Sequence, residues 1–131
     1  MSNDNTKEVE FEVPSREELL TKIPPRLERV ELQGGSVYVR DMYGDEREEF
    51  EKSTTEVVTK NGVQTVVPKT DYFKSKVVVM CTCDKDGTLI FQEGDYDLVS
   101  ANMKAADIEV IFKKAAEMNR FGAFTEEDEK N

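Results

Sequence analysis

The segment with the clearest spacing of chemically active side chains is TCDKDGTLIFQE, residues 82–93. Five of its residues match positions of a calcium-binding EF-hand loop: Asp84, Asp86, Gly87, Leu89 and Glu93. Thr82 stands at the first position, where that loop needs a carboxylate, and the ninth position holds an isoleucine without a side-chain oxygen. An Asp-Gly pair is also what a tight backbone turn favours. We therefore expect a plain turn and no metal site.

The remaining reactive side chains are Cys81 and Cys83, the only cysteines of the chain, which contains no histidine. Side chains two positions apart point in nearly opposite directions on a helix, so a bond between these thiols would be strained there. A structural zinc site would need further soft ligands. The missing histidine removes the commonest general base and every Ser-His or Cys-His pair. We expect buried, reduced thiols, no cofactor, no catalytic residue and no enzymatic activity.

The composition describes a small, acidic and heavily solvated chain. Its 131 residues fit one domain, and 37% of them are hydrophobic while 35% are charged. The 18 basic and 28 acidic residues give a net charge of −10. Nucleic acids and anionic membranes need clustered lysine and arginine, so neither is an expected partner. The start, MSNDNTKEVEF, shows no secretion signal, and no apolar run is long enough to span a membrane. A cytoplasmic location is therefore expected.

A short helix and a β-hairpin are predicted near the N-terminus. Ser15 and Glu18 form a capping box that begins a helix over residues 16–22, and the prolines after it end the helix. The apolar side of this helix consists of Leu19, Leu20 and Ile23. Two adjacent glycines then join the alternating strands 29–32 and 36–40 into a hairpin.

A second helix and a second hairpin are predicted in the middle of the chain. Residues 44–52 are rich in helix formers, with carboxylates in the first turn where the helix dipole favours them. Asn61 and Gly62, between two β-branched runs, indicate a hairpin over residues 55–68. A lone two-stranded ribbon is barely stable. This hairpin must therefore pair with the first one, pack on a partner or remain a flexible arm.

The C-terminal part carries the clearest amphipathic pattern. Residues 105–119 place apolar side chains on one helical face, after a shorter helix near residues 96–100. Gly122 is expected to end the long helix. Residues 1–13 and 123–131 are acidic and are predicted to be flexible tails. Residues 14–122 are predicted to form a single α+β domain, with N-terminal hairpins and a mainly helical C-terminal half.

Three segments in a fixed order resemble a known family. They are VELQGGSVYVRDMYGDEREEF (30–50), KSKVVVMCTCDKDGTLIF (74–91) and AADIEVIFKKAAEMNRFG (105–122). These segments are similar to the tail assembly chaperones of long-tailed, siphovirus-type bacteriophages. The shared features are a hairpin ending in V-Y-V-R, a G-x-E-R-x-x-F helix, an apolar segment running into an acidic Asp-Gly turn, and an amphipathic helix ending in Met-Asn and glycine. The valine-rich residues 55–68 look like an insertion into that pattern.

The resemblance implies a non-catalytic chaperone in the host cell cytoplasm. Such a protein coats the helical tape-measure protein, keeps it soluble and helps to recruit tail-tube subunits during virion morphogenesis. The resemblance also implies a helix over residues 72–83, where composition alone slightly favours a strand. The modest core further predicts weak self-association into a homo-oligomer. The alternative from another class is a structural tail or connector protein that is retained in the virion.

Two aromatic rings, Phe121 and Phe124, lie off the apolar stripe of the last helix. They either fold back onto the core around Gly122 or belong to an exposed apolar site for another chain. Because other side chains already fill the inward stripe, we predict that both rings are partner-binding anchors. The valines of residues 55–68 pose the same choice.

Overall fold

The computed structural model describes residues 11–121, and its first element is a short, uncovered helix. Helix α1 (Arg16–Leu20) begins with the predicted capping box, in which Ser15 Oγ accepts from the Glu18 N–H at 3.1 Å and Glu18 Oε1 accepts from the Ser15 N–H at 2.8 Å. The helix ends two residues earlier than predicted, at the extended Thr21. None of its residues is buried. Its local cap therefore determines where it starts, while its apolar side lacks a packing surface within residues 11–121.

Strands β1 (Leu27–Leu32) and β2 (Gly35–Arg40) form the predicted first hairpin. They pair antiparallel from Leu27 opposite Arg40 to Leu32 opposite Gly35. Val30 and Val39 lie on the same face of this ribbon, because Val30 pairs with Val37 and side chains alternate along a strand. Both are buried, so this face of the ribbon packs against the hydrophobic core.

Helix α2 (Gly44–Ser53) leads directly into the second hairpin, strands β3 (Thr55–Lys60) and β4 (Val63–Pro68). Asn61 (φ 52°) and Gly62 (φ 78°) both adopt the left-handed conformation that a two-residue hairpin turn requires. Among the strands of residues 11–121, these two pair only with each other, so the hairpin does not extend the first sheet. Val57 and Val66 oppose each other across the ribbon and are 63% and 66% exposed.

Helix α3 (Phe73–Cys81) and the short strand β5 (Thr82–Cys83) resolve the ambiguous segment. The predicted helix is confirmed up to Cys81, and the chain then becomes extended and pairs with β2, giving the sheet order β1–β2–β5. Val77 and Val78 are fully buried. Burying a valine side chain contributes about 1.5 kcal/mol or more, whereas its weak helix propensity costs at most about 0.7 kcal/mol. Packing therefore overrides the local preference for a strand.

Helices α4 (Tyr96–Asn102) and α5 (Ala105–Asn119) complete the α+β fold, which has the predicted N-terminal hairpins and helical C-terminal half. Helix α5 packs across α3 and the face of the sheet. The side chains that are almost completely buried come from the same elements: Val39 on β2, Val77, Val78 and Cys81 on α3, Thr82 and Cys83 on β5, and Ile111 on α5. The left-handed Arg120 (φ 66°) ends α5. Gly122, the predicted stop, lies outside the described residues.

Two further predictions concern the terminal tails and membrane-spanning segments. Residues 1–10 of the first predicted tail, and all of the tail predicted at 123–131, lie outside residues 11–121. Within the described range, no helix combines the length and the apolar character that a membrane crossing requires.

Candidate functional site

The acidic Asp-Gly segment is a tight backbone turn, as predicted. The Asp84 carboxylate accepts hydrogen bonds from the N–H groups of Asp86 at 2.9 Å and Thr88 at 3.0 Å. Gly87 has a φ of 86°, and a Cβ on it would lie 3.4 Å from Pro25 Cγ. Glycine is therefore favoured there by its positive φ, whereas a Cβ at that distance would make only an ordinary van der Waals contact. Across residues 11–121, no cluster of three or more His, Cys, Asp or Glu side chains could hold a metal ion.

Both cysteine thiols are buried and free. Burial raises the pKa of Cys81 to about 12, and burial also raises the pKa of Cys83. The thiolate is the nucleophilic form of cysteine, so a thiol held neutral in the interior is a poor nucleophile. The two cysteines serve as small core side chains.

The prediction of an exposed ring at Phe121 is wrong. This side chain is only 8% exposed and stacks on Phe50, with ring centroids 5.3 Å apart. The guanidinium of Arg47 lies 4.3 Å from the Phe121 ring centroid. The left-handed Arg120 ends α5 and is followed directly by the ring that packs into the core. Phe124, the second predicted anchor, lies outside the described residues.

Residues from the separate motifs that carry the family resemblance meet in a polar network. Arg40, from V-Y-V-R, forms an ion pair with Glu46, from the G-x-E-R helix. Arg40 also donates to the carbonyl of Gly87, in the Asp-Gly turn, at 3.2 Å. Arg47, beside Glu46, donates to the carbonyl of Asn119, in the Met-Asn ending, at 2.7 Å. The motifs therefore hold the sheet, α2, the turn and the end of α5 together.

Asn119 is the residue of this network whose role the sequence reasoning missed. It is 8% exposed, and its Oδ1 accepts from the Met42 N–H at 2.7 Å. Its Nδ2 donates to the carbonyl of Ala115 at 3.0 Å and lies 3.8 Å from Cys81 Sγ. The side chain therefore fastens the end of α5 to the loop between β2 and α2. An asparagine at the end of an apolar stripe is the only local signal of this role.

Five of the most exposed large apolar side chains within residues 11–121 lie on and around α1. They are 66% to 80% exposed: Phe11, Val13, Leu19, Leu20 and Ile23. The end of this segment is fixed to the domain by the Tyr43 hydroxyl, which donates to the Ile23 carbonyl. Lys22 Nζ also lies 4.4 Å from the Tyr43 ring centroid. The segment is thus anchored at one end while its apolar side chains face solvent.

A cleft of about 630 Å³ lies between α2, α3 and the segment that leads into α4. Its apolar lining consists of Val79, Met80, Leu89 and Phe91. The buried Lys76 also lines the cleft, and its Nζ donates to the Ser53 carbonyl at 2.7 Å and lies 5.3 Å from the Tyr96 ring centroid. Carboxylates of α2 form a further part of the lining. This combination suits a ligand that is apolar on one side and basic on another.

Comparison with known proteins adds no relative. No family model matches the sequence, and neither a curated protein nor a solved structure matches it at a significant level. The resemblance to tail assembly chaperones therefore rests on the order and spacing of the three segments alone.

Proposed function

We propose that this chain is a tail assembly chaperone of long-tailed bacteriophages, a non-catalytic protein that binds the tape-measure protein. It keeps that protein soluble and helps to recruit tail-tube subunits. The observation that carries this proposal is the uncovered apolar side of α1 and of the residues just before it. Exposed apolar side chains that cluster on one segment are typical of interaction sites. An apolar helix of the partner would cover them.

Two further features support a binding role. The outward pair Val57 and Val66 gives the second hairpin an apolar surface that no other described element covers. The net charge of −10 makes copies of the chain repel one another. A complex between this acidic protein and an aggregation-prone helix would therefore stay dispersed in the host cell cytoplasm.

Co-expression with the tape-measure protein of the same phage tests the proposal. The wild-type chain should keep that protein in the soluble fraction, and the double variant Leu19→Ser/Leu20→Ser should not. The double variant Leu98→Ser/Ile90→Ser is the control, because those side chains are also exposed, at 58% and 50%, but belong to α4 and to the segment before it. Surface substitutions of this kind change stability by roughly 0.5 kcal/mol or less. Equal solubility of the tape-measure protein with and without the wild-type chain would overturn the proposal.

Purified virions separate the chaperone from a structural tail protein. A chaperone leaves before the tail is complete, so mass spectrometry of virions should not detect the chain, whereas lysates of infected cells should contain it. Its presence in virions at a fixed ratio to tail-tube subunits would favour the structural alternative.

A further inference from the structure

We infer that the cleft between α2 and α3 is the docking site for an amphipathic helix of a partner protein, with basic side chains one helical turn apart. This inference rests on the proposed function insofar as it takes the partner to be a helical protein. Asp45, Glu49 and Ser53 line the cleft at intervals of four residues, so they form a row along one side of α2. Such a row is about 12 Å long, or roughly two helical turns. An elongated partner that runs along α2 matches it.

The carboxylates of this row are available to a partner. Asp45 and Glu49 are exposed, and neither forms an ion pair with any residue of 11–121. In contrast, Glu46 is paired with Arg40, and Glu51 is paired with Arg47 at 3.2 Å. Two free carboxylates one turn apart favour lysine or arginine at the same spacing on the facing helix.

The other charged groups of the cleft do not change its preference for a partner helix with basic side chains. Glu93 adds a further carboxylate from the segment before α4, and Lys69 and Lys76 supply positive charge. The Lys76 ammonium is already bound to the Ser53 carbonyl at 2.7 Å. The carboxylates in the lining therefore outnumber the ammonium groups, and the side chain of Lys76 is held against its own domain.

The apolar part of the cleft explains why the partner should be amphipathic. Met80 and Phe91 are half-buried, and Leu89 is 37% exposed, so each offers surface that a docked side chain could cover. The volume of about 630 Å³ is in the range of binding clefts. Helices that dock in such grooves insert apolar side chains from successive turns and keep their polar side at the rim. Here the rim is acidic.

Fluorescence anisotropy with two designed peptides tests the inference. One labelled peptide of about 18 residues carries a leucine stripe flanked by lysines at i and i+4, and the other has glutamates in place of the lysines. At low salt the wild-type chain should bind the lysine peptide about tenfold more tightly than it binds the glutamate peptide. Asp45→Asn/Glu49→Gln should weaken its binding by roughly three- to tenfold, because each exposed ion pair contributes little individually. Leu89→Ser should weaken it as well.

The matched control is Glu48→Gln/Glu56→Gln, which removes the same number of charges from exposed positions outside the cleft. It should change the affinity by less than about twofold. Equal affinity for both peptides, no binding of either, or an unchanged affinity in the Asp45 and Glu49 variant would overturn the inference.

The tape-measure assay distinguishes failure of the cleft from failure of the proposed function. If the Asp45→Asn/Glu49→Gln variant and the wild type keep the tape-measure protein equally soluble while neither binds the lysine peptide, only the cleft is refuted. If the wild-type chain binds the lysine peptide selectively but does not keep the tape-measure protein soluble, the proposed function fails and the cleft stands.

Discussion

Replacing Asn119 with alanine is expected to lower the free energy of unfolding by about 2–3 kcal/mol. The substitution removes the Oδ1 acceptor of the half-buried Met42 N–H, a hydrogen bond of 2.7 Å. An N–H group left unpaired in such a place costs about 1–3 kcal/mol. The substitution also removes the Nδ2 donor to the Ala115 carbonyl, and a typical hydrogen bond contributes about 0.5–1.5 kcal/mol.

Urea and thermal unfolding followed by circular dichroism measure this loss. For a domain of this size, each kcal/mol corresponds to roughly 3–5 °C in Tm, so the midpoint should fall by roughly 6–15 °C. The dependence on urea should keep its slope, because the surface exposed by unfolding does not change. Only the midpoint concentration of urea should decrease.

Asn102→Ala is the matched control. Asn102 also lies at the end of a helix, and its Nδ2 donates to the carbonyl four residues earlier, Leu98, at 3.0 Å, but the group is exposed. Its loss should cost roughly 0.5 kcal/mol or less. If Asn119→Ala and Asn102→Ala destabilise the domain equally, burial does not amplify the Asn119 hydrogen bonds and the reasoning is refuted.

Three further predictions concern Phe121, Cys81 and Asp84. Phe121→Ala removes a buried ring and should cost about 3–5 kcal/mol in urea unfolding, and a wild-type midpoint would show that the ring does not pack in the core. Because the pKa of Cys81 rises from 9.0 to about 12 on folding, the unfolded chain loses this proton first. Urea unfolding should therefore show stability falling between about pH 9 and pH 12, with a smaller fall in Cys81→Ala. Asp84→Ala should cost about 1 kcal/mol in the same assay, and calcium should not raise the wild-type Tm; a calcium-dependent rise that Glu93→Gln abolishes would contradict this.

Elements with a local cause could be predicted from the residues themselves. The capping box of Ser15 and Glu18 and the Asn61-Gly62 turn involve groups only a few positions apart, so their geometry follows from neighbours in the chain. The apolar stripe of α5 is equally local, because helical periodicity alone puts its members on one face. The helix over Phe73–Cys81 differs, since its valines favour a strand and only burial makes them helical.

Long-range packing determined the parts of the molecule that bear on binding. No local pattern shows that Phe121 stacks on Phe50, that Asn119 accepts a hydrogen bond from the Met42 N–H, or that no other element of residues 11–121 covers the apolar side of α1. The cleft is another such feature, because α2 and α3 are separated in the chain by a whole hairpin. Periodicity shows which side of an element is apolar. Whether another element covers that side, and which one, depends on the free energy of packing the whole chain at once.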